Sequence, residues 1–542
     1  MKKIVSILLA VLICLSTFAL AQGDGTQLPT SVVTEIGPER IVDEPVTISL
    51  WTAGQTENID DYENALMVRW YEEKTGVHVD FRVQPADAGQ DRLNTTIASK
   101  DYPDIFNTYL SVDTVNQYGG PDGIFMAIDD LIEEGWMPNL EKWLNSHPDL
   151  DTMRSHDGKL YAIPAVSSAP WMIYVKKMYV KTAWLDQYLN DGNDFPETYL
   201  EFEDMLRYFQ ENDMNGDGDT EDEIPMIGLQ PSGWGTDPTN TLLSYFGPSL
   251  GQGNSQFLFV DENGDTQWSG SMPWYRDALR WIHSLLVDGL YDKSTYTMSQ
   301  GTYRSLVADD LVGVAAGATP GQFTDAALEA DWTALPPMEG PYGYRGVPVN
   351  SLEYDNMSFS TAFSKTCSNP EVCAKWMDYF FSDEGAIMAS FGIKDINYYI
   401  SDTKSIAGDP TSIVSIKGEN EVYNSWWGNQ VSGSPDCSLR YSAEEGNNAL
   451  YVEHARVYEP YYVYTGIPMI GVTLSDAEEA RLAECFNHVC LQTYYYSFDY
   501  ITGVRNVESD SSWEKFCAYI NTDNMLDDYI RLVNKKYRGI EE

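Results

Sequence analysis

Residues 46–51 read Val-Thr-Ile-Ser-Leu-Trp, and residues 77–81 read Val-His-Val-Asp-Phe. Short apolar runs of this kind, rich in β-branched and aromatic residues, are typical of β-strands. Residues 64–72 and 91–99 instead have the spacing of helices. The first strand pair therefore flanks a helix, and this alternation predicts an α/β fold.

The remainder of the 542-residue chain indicates two lobes rather than a series of separate domains. A helix is predicted from Tyr275 to Val287, with Gly289 as its C-cap. Another begins at Ser475, because Ser475 and Glu478 form a capping box. No Gly/Ser-rich linker and no internal repeat divides the chain. We therefore expect lobes that share several crossings, with a mainly helical C-terminal third.

The N-terminus has the order of a secretory leader. Lys2 and Lys3 precede an apolar stretch at residues 4–20, and the run Ala-Leu-Ala predicts cleavage after Ala21. A lipid anchor on Cys14 is the alternative, but the preceding Ile13 is bulky where lipoprotein processing favours a small residue. We expect an exported, soluble product, periplasmic or at the cell surface, with a flexible tether at residues 22–44.

The chain is strongly acidic, with 82 Asp and Glu against 34 Lys and Arg and a formal net charge of −48. Such a charge repels phosphate backbones and anionic lipid surfaces, so no nucleic-acid partner is expected. Six cysteines follow the leader, too few for a disulfide scaffold in a chain that can bury a large core. A bridge between Cys367 and Cys373 can span the turn at Asn369-Pro370.

Residues 213–225 read Asp-Met-Asn-Gly-Asp-Gly-Asp-Thr-Glu-Asp-Glu-Ile-Pro and form a candidate calcium loop. Oxygen-bearing side chains recur at alternate positions, and a glycine stands sixth, where a tight loop must turn. The twelfth residue is Ile224 rather than the Glu of an EF-hand, and Pro225 stops a helix from following. The alternative is a metal-free acidic turn. We expect a structural calcium ion held by Asp213, Asn215, Asp217, Asp219, Glu221 and Asp222.

Cys485, His488 and Cys490 have the residue types of a second metal cluster. They lie inside a strongly helical segment, where offsets of three and five do not converge on one ion. We therefore expect them to be buried helix residues.

Fifteen Trp and 36 Tyr offer flat apolar faces with a polar edge, which suit the stacking of sugar rings. Most aromatic side chains fill cores, and Trp281 and Trp376 are assigned there because they lie on amphipathic helices. Neutral sugars are favoured over uronates unless Lys176 and Lys177 line the cleft. The candidates for ligand binding lie at predicted strand ends or in loops: Trp51, Tyr109, Trp171, Trp234, Tyr423, Trp426 and Trp427.

An exported, aromatic-rich glycoside hydrolase is the rival interpretation. Such an enzyme uses a pair of carboxylates, but 82 acids make pairs uninformative. The sequence contains no Gly-x-Ser-x-Gly elbow, no His-Glu-x-x-His pair and no phosphate loop. We therefore expect a binding protein rather than an enzyme.

Several segments, in order along the chain, resemble one known family. The first three are residues 72–77 (Glu-Glu-Lys-Thr-Gly-Val), 98–105 (Ala-Ser-Lys-Asp-Tyr-Pro-Asp-Ile) and 157–164 (Asp-Gly-Lys-Leu-Tyr-Ala-Ile-Pro). The acidic loop follows them, and then a tail with residues 468–473, Thr502-Gly503 and Trp513. Together they resemble the large extracellular solute-binding proteins of ABC sugar importers, in the lipoprotein-type branch related to alginate-oligosaccharide binding proteins. The resemblance covers roughly residues 46–538.

This resemblance implies a two-lobed periplasmic-binding-protein-like fold with a hinge, an oligosaccharide ligand and ABC permease subunits as partners. An oligopeptide or other solute receptor on the same fold is the alternative, and a monomer is expected. With crossings near Pro164 and Gly313, the expected division is residues 45–164 with 313–365 in the first lobe, and 165–312 with 366–542 in the second.

Two departures from the family pattern leave details open. The acidic loop has one extra residue before Ile-Pro, so either Glu221 with Asp222 or Asp222 with Glu223 closes the calcium site. Asp395 replaces the second glycine of a Gly-x-x-Gly-x-x-Tyr region, which brings the local backbone geometry into question.

Overall fold

The structure is a computed structural model, and the part of the chain that it describes runs from residue 37 to residue 540 with gaps. The described ranges are 37–54, 62–63, 66–85, 89–120, 123–155, 157–165, 174–230, 235–248, 257–347, 358–392, 394–395, 397–416, 437–462, 467 and 474–540. The chain divides into two compact units. No helix within the described ranges has the length and apolar character needed to cross a membrane.

The first unit is built on a five-stranded sheet with the order β2-β1-β3-β11-β4. Its strands are β1 (Val46–Gly54), β2 (Val77–Pro85), β3 (Ile105–Leu110), β4 (Ile163–Ala165) and β11 (Ser358–Phe363). Strand β1 runs parallel to β2 and β3, whereas β11 runs antiparallel to β3 and β4. The parallel pairing of β1 with β2 requires a crossover, which the intervening helix supplies.

The helices of the first unit surround this sheet. They are α1 (Leu66–Thr75), α2 (Gly89–Ser99), α3 (Val112–Tyr118), α4 (Ile128–Glu133), α5 (Pro138–Asn145), α11 (Pro370–Asp378) and α12 (Asp383–Phe391). Strands β12 (Tyr398–Ser401) and β13 (Ser412–Ser415) form a separate pair. The strand–helix–strand start expected from residues 46–81 is confirmed.

The second unit contains a four-stranded sheet with the order β10-β5-β9-β6. Its strands are β5 (Lys177–Lys181), β6 (Ile224–Ile227), β9 (Val312–Gly317) and β10 (Trp332–Leu335), and β7 (Leu258–Val260) pairs with β8 (Thr266–Trp268) as a hairpin. Its helices are α6 (Thr182–Asn190), α7 (Tyr199–Glu211), α8 (Thr239–Leu243), α9 (Pro273–Val287), α10 (Gln300–Ala308), α13 (Gly446–Tyr458), α14 (Asp476–Ile501), α15 (Asp510–Ile520) and α16 (Met525–Val533).

Helix α14 is the centre of the helical C-terminal region. Ser475 and Glu478 form the expected capping box at its start. It packs against α9, α15 and α16. Cys485 and Cys490 are buried along it, and His488 bonds through Nε2 to the Tyr519 carbonyl at 3.1 Å. All three lie on this helix, as the sequence predicted, but His488 is only half-buried.

Both tryptophans that the sequence assigned to cores are buried. Trp376 is 1% exposed in the core of the first unit, and Trp281 is 7% exposed in that of the second. Asp395, which replaces a family glycine, has φ of 64°. This is the left-handed region that aspartate tolerates better than most residues, so the chain keeps a glycine-like turn without the glycine.

The division into units differs from the expected lobes. The described residues of the first unit lie within Met1–Val166, Met357–Ser401 and Ile413–Ser438. Residues 313–347 belong to the second unit, because β9 pairs with β5 and β6 in its sheet. The described residues between 366 and 401 belong to the first unit, because the buried face of α11 contributes Cys373, Ala374, Trp376 and Met377 to its core.

Candidate functional site

Two of the aromatic candidates lie on the sheet of the first unit, in opposite environments. Trp51 is 1% exposed, belongs to the hydrophobic core, and donates through Nε1 to Thr96 Oγ1 at 3.2 Å. Tyr109 is 67% exposed at the end of β3. The burial of Trp51 assigns it to packing. Tyr109 lies at the carboxyl end of a strand that runs parallel to its neighbour β1, where α/β proteins usually bind ligands.

The other five aromatic candidates are not placed by the structure. Trp171, Trp234, Tyr423, Trp426 and Trp427 lie outside the described residues. The sequence therefore remains the only argument for them, and the structure brings none of them together with Tyr109.

A small cavity of about 30 Å³ lies within the second unit. It has room for about two or three water molecules, whereas small-molecule sites span roughly 300–1,000 Å³. One part of its lining is apolar or aromatic, and the rest offers carboxylate, amide and hydroxyl groups. The lining residues are Asp237, Thr239, Asn240, Leu243, Phe257, Tyr275, Tyr296, Tyr494, Ser497, Phe498 and Ile501.

The polar groups of this pocket are held in place by hydrogen bonds. Asp237 Oδ1 accepts from the Thr239 amide at 2.9 Å, and burial raises the pKa of this carboxyl. Tyr275 and Ser497 share a hydroxyl hydrogen bond of 2.8 Å. Thr239 Oγ1 lies 3.3 Å from the Tyr296 hydroxyl. The cavity is too small for a sugar ring, so these polar groups bond to one another inside the second unit.

Sequence reasoning did not single out this pocket. Asp237 follows the Gly-rich segment that contains Trp234 by only three positions, and this proximity was the available signal. The signal was weak, because one aspartate among 82 acidic residues has no distinctive pattern. The other polar lining residues come from α8, α14 and the segment before α10, which local sequence cannot bring together.

The acidic loop connects α7 to β6 and is folded around its own backbone amides. Asp213 accepts from the Gly216 and Gly218 amides at 2.7 and 3.0 Å. The same local pattern continues at Asn215, Asp217 and Asp219, whose Oδ1 atoms accept from the amides two residues on. Gly218 has φ of 95°, which is accessible to glycine with little strain. The turn expected at this glycine is confirmed.

The C-terminal end of the loop contains two carboxyl groups with buried oxygens. Glu223 is 8% exposed and accepts from the Met214 amide at 2.8 Å through Oε1. Its Oε2 atom and Oδ1 of Asp222 are buried without a hydrogen-bond partner. Burial, assisted by nearby carboxylates, raises the pKa of both groups. Two unsatisfied carboxylate oxygens beside Asp213, Asp217 and Asp219 fit a site that a cation completes.

The carboxylate side chains of the acidic loop do not converge on one point. No group of three or more His, Cys, Asp or Glu in the described ranges is arranged to hold a metal ion. Glu221, one of the expected ligands, is exposed. The donor set therefore fits calcium in its residue types and in its unsatisfied oxygens. The carboxylates of Asp213, Asp217 and Asp219, however, accept from backbone amides and do not face a common point.

Lys177 does not line a cleft where it could attract an anionic sugar, which was the role suggested by the sequence. It is 0% exposed at the start of β5, and its Nζ donates to the Tyr174 carbonyl. Burial lowers the pKa of Lys177 to about 7. A lysine inside the unit does not present its charge to an anionic ligand, so of the two expected lysines only the half-buried Lys176 stays a candidate for that role.

The comparisons with known proteins agree on one family. A family model for bacterial extracellular solute-binding proteins matches residues 53–387. The fructooligosaccharide ABC transporter substrate-binding protein FusA of Streptococcus pneumoniae serotype 4 (strain ATCC BAA-334 / TIGR4) is 26% identical over 363 residues, which are 64% of this chain and 63% of FusA. Lipoprotein LipO of Bacillus subtilis (strain 168) is 26% identical over 270 residues, 47% of this chain and 51% of LipO. The alignments thus span less than two thirds of either relative.

Solved structures show the same fold. FusA in complex with kestose has a TM-score of 0.75 at 20% identity, covering 90% of this chain and 98% of FusA. A FusA EF-hand mutant has been solved with fructo-nystose. Alginate-binding protein AlgQ2, solved without calcium ion, has a TM-score of 0.71 at 19% identity, covering 92% of this chain and 99% of AlgQ2. The expected two-lobed α/β fold with a helical C-terminal region is confirmed, as is the family resemblance.

Proposed function

This chain belongs to the bacterial extracellular solute-binding proteins, and from that premise we propose that it captures an oligosaccharide outside the cytoplasm and delivers it to an ABC permease. We propose that the mature protein is periplasmic or at the cell surface, acts as a monomer and has no catalytic activity. Closure of its two lobes on the ligand, inferred from the sequence, stays a prediction.

The observation that carries the saccharide assignment is the exposure of Tyr109. A tyrosine that is 67% exposed at a strand end contributes little to the core, whereas its ring is free to stack on the C–H face of a sugar. The relatives named for fructooligosaccharide and alginate binding support the same ligand class.

The experiment that tests this function separates a receptor from a hydrolase. The protein is incubated with labelled neutral oligosaccharides, collected by ultrafiltration and denatured, and the released sugar is analysed. We expect sugar to be retained and recovered intact. In Tyr109→Ala the affinity should fall about tenfold, because a stacking surface is lost. Shortened sugar in the filtrate would indicate a hydrolase, and no retention of any saccharide would contradict the proposed ligand.

We also propose that the acidic loop binds a structural calcium ion. Asp213, Asn215, Asp217 and Asp219 supply further oxygen ligands. Asp222 and Glu223, rather than the exposed Glu221, close the site, because their buried oxygens lack partners. When bound, the ion supplies positive charge that offsets the repulsion among these carboxylates.

Calcium should stabilise the protein without supplying chemistry. At a calcium concentration of about 100 times the Kd, ligation contributes about 2.7 kcal/mol, so the Tm should rise by about 2–4 °C over the chelated protein. Glu223→Gln should reduce this gain, because it removes a charged closing ligand. The measurement is a thermal melt with chelator and with added calcium.

The matched control for this experiment is Glu262→Gln. Glu262 lies in a second acidic turn, between β7 and β8, where Asp261 bonds to the Asn263 and Asp265 amides and to Gln267. The variant removes one exposed charge and should keep the full calcium response. Equal melting temperatures with chelator and with calcium in the unchanged protein would contradict the calcium proposal.

A further inference from the structure

Cys367 and Cys373 bring their sulfur atoms to 3.4 Å in the first unit. Cys367 is partly buried in the turn after β11, and Cys373 is fully buried in the first turn of α11. Three of the other cysteines contact different groups: Cys485 the Met525 sulfur, Cys490 the Tyr529 hydroxyl and Cys517 the Gly270 carbonyl. The contact between two cysteine sulfurs at this turn is therefore not repeated at those three cysteines.

The backbone on both sides of the contact is fixed. The Cys367 amide donates to the Ser364 carbonyl at 3.0 Å, and the Cys373 amide donates to the Asn369 carbonyl at 3.0 Å. Pro370 begins α11, so the turn cannot extend the helix backwards. A disulfide bond is about 2.05 Å long, so the sulfurs need to approach by little more than about 1 Å. Side-chain rotation supplies such a movement without unfolding the turn.

We propose that Cys367 and Cys373 form an intramolecular disulfide in the exported protein. The inference rests on the export that the proposed function requires, because disulfides persist in oxidising compartments. It does not depend on the identity of the ligand. The bridge ties the end of β11, in the sheet of the first unit, to the helix that packs on that unit's core.

The chemistry is a thiol–disulfide exchange with an external disulfide, either of an exported thiol oxidoreductase or of a small molecule. Cys367, the more exposed of the two, loses its proton, and its sulfur attacks the external disulfide, forming a mixed disulfide and expelling one thiolate. Cys373 then loses its proton, and its sulfur attacks Cys367 Sγ and expels the second thiolate. Two protein thiols are oxidised and one external disulfide is reduced to two thiols.

The order of attack follows from the environment of each sulfur. Contact with the Cys367 sulfur, together with burial, raises the pKa of the Cys373 thiol. The buried thiol is therefore a poor first nucleophile, and the reaction begins at Cys367.

Peptide mapping by mass spectrometry tests the proposal. The folded protein is incubated with oxidised glutathione, denatured, alkylated without reductant and digested. We expect the Cys367 and Cys373 peptides joined and 2 Da lighter than the sum of their reduced masses, while Cys437, Cys485, Cys490 and Cys517 carry the alkyl group. After reduction, all six should be alkylated.

Three results would overturn the proposal: separate alkylation of both cysteines, a stable glutathione adduct on Cys367 beside a free Cys373, or a bridge from either one to another cysteine. Thermal melts provide a second readout, because a bridge that closes a short loop should raise the Tm by a few degrees. Reductant should remove this increase in the unchanged protein and have no effect on Cys367→Ser. These results are independent of saccharide binding, so a failure of the disulfide and a failure of the proposed function are distinguishable.

Discussion

Replacing Trp51 with alanine is expected to lower the free energy of unfolding of the first unit by about 3–5 kcal/mol, because a fully buried indole leaves a cavity. The side chain is 1% exposed in the middle of β1, and the hydrogen bond from Nε1 to Thr96 is lost with it. The measurement is denaturant unfolding followed by a probe of the first unit. Saccharide affinity of the folded fraction should change little.

Tyr109→Ala is the matched control on the same sheet. Because Tyr109 is 67% exposed, its removal should change stability by no more than about 0.5 kcal/mol while weakening saccharide binding. The two variants thus separate packing from recognition. A Trp51→Ala protein of unchanged stability that no longer binds saccharide would return Trp51 to the ligand site and contradict its assignment to the core.

Lys177→Met is expected to change how stability depends on pH. Burial lowers the pKa of Lys177 to about 7 in the folded protein, whereas an exposed lysine has a pKa near 10.4. Between pH 7 and pH 10.4, Lys177 is protonated in the unfolded chain but neutral in the folded one. Lys177 therefore lowers the free energy of unfolding, and this cost reaches its full size, roughly 4 kcal/mol, at and below pH 7. That cost disappears as pH rises towards 10.4. The advantage of Lys177→Met should therefore be largest near pH 6 and smallest near pH 10.

The comparison is a series of melts from pH 6 to pH 10, with Lys176→Met as the control. Lys176 is only half-buried, so its variant should show no such trend. In the folded protein His454 stays neutral throughout this range, because burial and the Lys177 charge lower its pKa to about 4. Its protonation in the unfolded chain near pH 6 is common to both proteins and cancels from the difference between them. Loss of the bond to the Tyr174 carbonyl adds a cost that does not vary with pH. A Tm difference between Lys177→Met and the unchanged protein that stays constant from pH 6 to pH 10 would contradict the lowered pKa of Lys177.

Local patterns predicted the elements of this fold but not their long-range pairing. The start of the chain, the helix that ends at Val287 and the capping box at Ser475 depend on neighbouring residues, and all three are present. The segment after Gly313 was expected in the first lobe. It is instead an inner strand of the second unit's sheet, because β9 pairs with β5 and β6, which precede it by about 90 residues or more.

For the candidate site residues, too, local sequence did not predict what depends on the rest of the fold. Trp51 was expected at a strand end, but β1 continues to Gly54, so the side chain points into the core. Lys177 was a candidate for lining the cleft, yet its strand is buried and takes the side chain out of solvent. The acidic loop was recognisable because its spacing is local. That spacing does not show that the fold buries Glu223 and leaves Glu221 exposed, which depends on the packing of the loop.

The most direct test of an oligosaccharide receptor is a calorimetric titration of the calcium-loaded protein with three ligands of matched length: a neutral oligosaccharide, a uronate oligosaccharide and an oligopeptide. We expect a saturable one-site isotherm with the neutral saccharide and at least about tenfold weaker binding of the uronate, because the chain carries a formal net charge of −48. No heat from either saccharide, together with a saturable isotherm for the oligopeptide, would contradict the account.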